Sequence, residues 1–206
     1  MIVYIESNFV LEIALEQEEA PAVENILKLA ELGKMELIFP TFALIEPFWT
    51  LKYRENERDR LFSSLTQQLN QLQNRLQRSK MHKELAATIR LAPIDMLQVA
   101  RKETNSLQST TKRLLSVGKS IEINQVIFEQ SLAYQNYYDL SPQDAIIFSA
   151  VINHLQQQNP SETKCFISRD RRAFNDPGIK AELKSFNCRY ISNFKDGLSF
   201  IQSNLM

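Results

Sequence analysis

Short apolar segments alternate with helix-patterned stretches at both ends of the chain, and this alternation restricts the fold more than any other feature. MIVYI (1–5), MELIF (35–39), KCFIS (164–168) and NCRYIS (187–192) are brief and rich in β-branched or aromatic residues, so each reads as a strand. Strands separated by helices predict an α/β chain whose parallel sheet is covered on both faces, a three-layer α/β/α arrangement. At 206 residues the chain suits one domain spanning 1–206.

The helices between these strands are legible from caps and periodicity. Ser7 or Asn8 caps a first helix running to about Gln17. A second fits Ala20 to Leu32, with Pro21 in its first turn and Gly33 ending it. Thr41 is an N-cap for a third helix that contains Glu46 and Pro47, and the internal proline predicts a kink. Beyond it, Leu61, Leu65, Leu69, Leu72 and Leu76 form one apolar stripe on a long polar helix. That stripe packs on the chain's own helices or on a partner, a second copy included. Pro93 interrupts a later helical stretch that resumes to about Leu115, so residues 51–118 read as a helical elaboration. Ile121 to Tyr137 reads as helical, Ser141 with Pro142 starts another helix, and Phe194 to Gln202 forms the last.

Composition excludes several classes. Hydrophobic content of 44% and charged content of 23% are those of an ordinary globular protein. No apolar run reaches the roughly 18 residues a membrane span needs, and the N-terminus lacks a basic signal-peptide region. A cytoplasmic location without membrane association is the expectation. Cys165 and Cys188 fall in strand-like segments, as buried reduced thiols do, and no cysteine–histidine spacing suits zinc. The 4 glycines build neither a phosphate-cradling loop nor a dinucleotide fingerprint. Net charge is +0, but residues 1–50 hold 2 basic and 9 acidic side chains, whereas 51–115 hold 13 basic and 6 acidic. The basic middle either meets phosphates or is the solvated face of long helices.

Four acids lie at or beside the ends of the apolar segments: Glu6, Glu46, Asp144 and Asp170. A carboxylate beside a core is costly unless partnered. In a parallel sheet, ligands gather outside the carboxyl ends of the strands. Glu6, Asp144 and Asp170 are directed there by topology, and converging carboxylates supply hard oxygen ligands for a divalent cation. Each acid also has a structural reading. Asp144 fits a capping box with Ser141, Glu6 favours a helix start, and Asp170 has Arg169, Arg171 and Arg172 as neighbours for an ion pair.

YIESNFVLEIAL, PTFALIEPFW, LSPQDAIIFSA and FISRDRRAF together resemble the PIN domain, a metal-dependent nuclease fold found in many toxin-type endoribonucleases. The resemblance covers about residues 1–50 and 121–200. It implies a PIN-like sheet and a site in which Glu6, Glu46, Asp144 and Asp170 hold Mg²⁺ or Mn²⁺ and serve catalysis. Asn8 and Ser168 would position the acids, and Asp176 is a substitute ligand because the family's last acid varies in position. Arg169, Arg171 and Arg172 would contact RNA phosphates. Clustered like charges should raise some carboxyl pKa values when metal is absent. The implied activity is metal-dependent endoribonuclease, plausible partners being RNA, an antitoxin protein and a second copy. The alternative is a catalytically degenerate module that binds RNA or protein. The family's first acid is usually Asp; Glu6 adds one carbon–carbon bond, about 1.5 Å, so either the site adjusts or activity weakens.

Overall fold

The computed structural model describes the backbone of residues 1–75 and 80–205, and side chains over that span other than those at 69 and 72–97. Five strands form one sheet: β1 (Ile2–Ile5), β2 (Glu36–Pro40), β3 (Lys119–Ile121), β4 (Lys164–Ile167) and β5 (Cys188–Ile191). Their order is β3-β2-β1-β4-β5 and every pairing is parallel. Between and after them run α1 (Ser7–Ala14), α2 (Ala20–Glu31), α3 (Phe42–Arg75), α4 (Lys80–Val117), α5 (Gln125–Tyr138), α6 (Pro142–Leu155), α7 (Arg171–Phe174), α8 (Pro177–Ser185) and α9 (Phe194–Leu205). No helix among the described residues is long and apolar enough to cross a membrane.

The two-residue period of β1 builds the three layers. Val3 and Ile5 enter one core with Phe9, Val23, Ile26, Leu27, Phe194 and Ile201 of α1, α2 and α9. Ile2 and Tyr4 enter the other with Phe148, Val151, Phe174 and Leu183 of α6, α7 and α8. β1 and β4 are buried at every position, as central strands of a doubly covered sheet must be. Cys165 and Cys188 are free, buried thiols, one on β4 and the other on β5.

Several sequence expectations are corrected. α1 stops at Ala14 rather than near Gln17, because Glu16 takes a left-handed φ of 49° and ends the helical ladder. Its N-cap is Glu6, not Ser7 or Asn8. The helix expected over Ile121 to Tyr137 starts only at Gln125, with Asn124 as its cap, because Ile121 ends β3. α4 continues past Pro93, since a proline removes one donor and a 38-residue ladder survives that loss. Pro47 lies inside α3, as its sequence context predicts.

The helical elaboration belongs to α3 and α4, which pack antiparallel, with an ion pair between Arg58 and Glu103. Leu51, Leu107 and Leu114 are buried in the core beneath α1 and α2. Gly118 then admits the chain to β3, where an added Cβ would lie 2.7 Å from the Phe39 ring. Leu61 and Leu65 of the leucine stripe are exposed; the side chains of Leu69 and Leu72, and Leu76 altogether, lie outside the described residues.

Candidate active site

Register brings the first two acidic segments together. Ile5 pairs with Ile167, so the chain leaves β1 at Glu6 beside the point where it leaves β4 at Ser168. β2 lies on the other side of β1, and the first turns of α3 therefore bring Glu46 to the same edge. The start of α6 adds Asp144.

Glu6 is 3% exposed. Its Oε2 accepts the Asn8 backbone N–H at 2.9 Å and lies 2.9 Å from the Ser7 hydroxyl. The same hydroxyl lies 2.6 Å from Glu46 Oε2. A hydroxyl has one proton to give. The second contact is therefore satisfied only by a proton on one carboxyl or by a cation drawing both oxygens. Burial pushes the Glu6 carboxyl up to about 7, against the hydrogen bonds of Asn8, Ser7 and Ser168. Asn8 and Ser168 thus act on Glu6, and Ser168 Oγ also accepts the Asp170 N–H at 3.0 Å.

Asp144 sits in the first turn of α6. Its Oδ2 accepts the Ser141 hydroxyl at 2.5 Å, while its N–H donates to Ser141 Oγ at 3.2 Å. Burial raises its pKa, the Ser141 bond opposes that rise, and the charges of Asp170 and Glu46 add to it. The expected rise from clustered acids is therefore present, with desolvation ahead of repulsion as its cause. Asp170 caps α7, its Oδ1 accepting the N–H groups of Arg172 and Ala173, both at 2.9 Å. The Tyr190 hydroxyl donates to the carbonyl of Ser168 at 3.2 Å and contacts that of Asp170 at 3.5 Å. Burial, then the charges of Asp170 and Glu6, push the Tyr190 phenol up to about 12.

All four acids share one pattern. One oxygen of each is held by the protein, and the other has no hydrogen-bond partner among the described residues; for Glu6 that second oxygen is also buried. Oriented carboxylates with free second oxygens are a chemically suitable donor set for Mg²⁺ or Mn²⁺. No group of three or more His, Cys, Asp or Glu among the described residues stands ready to hold a metal ion. The edge thus divides into a Glu6–Ser7–Glu46 unit and the Asp144 and Asp170 carboxylates, coupled through charge.

The remaining expected residues are placed differently from one another. Asp176 caps α8, its Oδ1 accepting the N–H groups of Gly178 at 2.7 Å and Ile179 at 3.2 Å. Arg169 pairs with Glu12, which is 1% exposed, and also reaches Gln17. Its guanidinium therefore neutralises a buried carboxylate, a different role from the phosphate contact expected of it. Arg171 and Arg172 are exposed and form no ion pair among the described residues. Ser7 and Tyr190 were not anticipated as parts of the site. The signal for Ser7 was its place beside Glu6; for Tyr190, only the pairing of β5 with β4 reveals it.

A family model for the PIN domain matches residues 3–174. No curated protein and no solved structure matches the chain significantly.

Proposed function

Because the chain belongs to the PIN-domain family, whose members are generally metal-dependent nucleases, we propose that it is a metal-dependent endoribonuclease of the toxin type. The observation that carries this reading is the shared pattern of the four acids, each oriented through one oxygen with the other left free. Asp144 and Asp170 would hold Mg²⁺ or Mn²⁺, with Glu6 and Glu46 completing the donor set. When bound, the cation supplies Lewis-acid stabilisation of the charge that develops on the phosphate and on the leaving 3′-oxygen. Glu46 would orient the attacking water, and Ser7 keeps Glu46 and Glu6 in register. Glu6, with its carboxyl near 7, gains or loses a proton close to neutrality. Arg171 and Arg172, exposed beside Asp170, would meet phosphates flanking the scissile bond.

A degenerate module that binds RNA or protein without cutting is the second reading. The use of Glu6 as a helix cap favours it. Calorimetric titration with Mg²⁺ or Mn²⁺ separates the two. The nuclease reading expects binding at millimolar metal that Asp144→Asn weakens at least tenfold; wild type that takes up no metal supports the degenerate module.

An antitoxin or a second copy is the proposed protein partner, and α3 offers it Trp49 and Tyr53, 71% and 65% exposed, with Leu61 and Leu65 beyond. Light scattering on Leu61→Glu, Leu65→Glu tests self-association, since an unchanged mass excludes a stripe-mediated oligomer.

A further inference from the structure

β5 is an outer strand of the sheet and, among the described residues, pairs only with β4. Along its free edge lies a cleft of about 560 Å³, walled by α8 on one side and α9 on the other. Lys180 and Lys184 line it from α8, four residues apart and so on one helix face. Arg189 and Tyr190 line it from β5, and Phe200 and Asn204 from α9.

No acid among the described residues lines this cleft. The nearby carboxylates are engaged elsewhere: Glu182 accepts the hydroxyls of Tyr134 and Tyr138, and Glu162 pairs with the N-terminal amine of Met1. Lys180, Lys184 and Arg189 form no ion pair among the described residues. Two of these cations rest on aromatic rings instead, with Lys180 Nζ 5.9 Å from the centre of Tyr190 and Arg189 Cζ 5.3 Å from that of Phe200. Lys164 also lines the cleft, but its ammonium is held by three backbone carbonyls at 2.6, 2.9 and 3.2 Å. The available positive charge is therefore that of the other three.

The cleft also has a direction. Asn187 lies at its far end, where β5 begins, and Tyr190 lies further along the strand toward its C-terminal end. The Tyr190 hydroxyl in turn contacts the carbonyls of Ser168 and Asp170. A ligand lying in the cleft is thus led to the backbone that presents Asp170.

We propose that this cleft is a docking track for the sugar-phosphate backbone of single-stranded RNA outside the acidic site. The inference rests on the RNA part of the proposed function and not on cleavage. A groove of unpaired cations interleaved with aromatic rings is how single strands are held without sequence readout. Lys180, Lys184 and Arg189 supply the charge, and Tyr190 and Phe200 supply faces on which a base can stack once a cation swings onto a phosphate.

The test is fluorescence anisotropy of a labelled 12-nucleotide single-stranded RNA, titrated in Mg²⁺ with protein carrying Asp144→Asn to prevent cutting. In that background, Lys180→Gln, Lys184→Gln, Arg189→Gln together are expected to weaken binding roughly tenfold or more. The slope of log affinity against log salt should also fall by about 2, since each lost single-strand phosphate contact removes about 0.7. The charge-keeping triple Lys180→Arg, Lys184→Arg, Arg189→Lys should restore both, and thermal melting checks that each variant is folded. Equal affinity and slope in the neutral triple overturn the track, as does an acidic peptide that binds the cleft while RNA binding is indifferent to it. The two readings fail separately. Wild type that cuts RNA with the neutral triple binding normally removes only the track; cleft-dependent binding without metal-dependent cutting removes only the nuclease.

Discussion

Glu6 carries a conflict between folding and chemistry. Its folded carboxyl lies near 7 against an ordinary value of 4.5, because burial disfavours the anion. Between those values the folded chain keeps a proton that the unfolded chain has released. Stability from this group is therefore complete below pH 4.5 and is lost as pH rises through 7. At about 1.4 kcal/mol per unit, the loss is about 3 kcal/mol. Urea unfolding at pH 4.5 and 7.5 in EDTA should show this decline, and Glu6→Gln should flatten it. Saturating Mg²⁺ should restore part of the stability at pH 7.5, and more in wild type than in Glu6→Gln. An identical pH slope in wild type and Glu6→Gln would contradict the assignment.

Glu6 has no ion-pair partner among the described residues, whereas buried Glu12 has Arg169. The sequence places it among three arginines beside Asp170, yet the structure gives it Glu12 as a partner. Removing the guanidinium leaves a carboxylate buried without its counter-ion, which typically costs 3–5 kcal/mol. Arg169 is itself partly exposed, so the lower end applies. Arg169→Ala should lose about 3 kcal/mol in chemical denaturation, whereas Arg172→Ala should stay within about 0.5 kcal/mol.

Among the elements, four strands and the starts of α2, α3, α6 and α9 were legible, whereas the caps of α1 and α5 were not. β1, β2, β4 and β5 announce themselves as apolar runs, and the position of Glu6 and Asp170 just beyond two of them follows directly. β3 is only three residues long with Ile121 alone buried, and its pairing with β2 arises after α3 and α4 have brought distant segments together. No local pattern encodes it. The four acids could be placed on one edge from their order in an α/β chain. Which oxygen caps which amide depends on atomic register, so the Ser7 bridge and the capping by Asp170 and Asp176 were beyond sequence reading. Asp176 shows the consequence. It holds two N–H groups of α8, and Asp176→Ala should cost about 1 kcal/mol of stability, the usual worth of an N-cap. Metal affinity should be unchanged in calorimetry; a loss there would return Asp176 to the metal site.

At the scale of the molecule, the sheet turns two distant stretches of chain into one edge and leaves the α3–α4 hairpin to extend from it. The hairpin is continuous with the core through Leu51, Leu107 and Leu114, so it is anchored to the same frame that presents Glu46. The PIN-domain match over residues 3–174 spans both the hairpin and the acids. The proposed chemistry is that these acids cut RNA with the help of a divalent cation. Cleavage of a labelled single-stranded RNA, followed with Mg²⁺, with Mn²⁺ and with EDTA, tests it most directly. Product is expected only with metal, and cleavage by folded Asp144→Asn at least a hundredfold slower. Cleavage that persists in EDTA, or at the wild-type rate in Asp144→Asn, would contradict it.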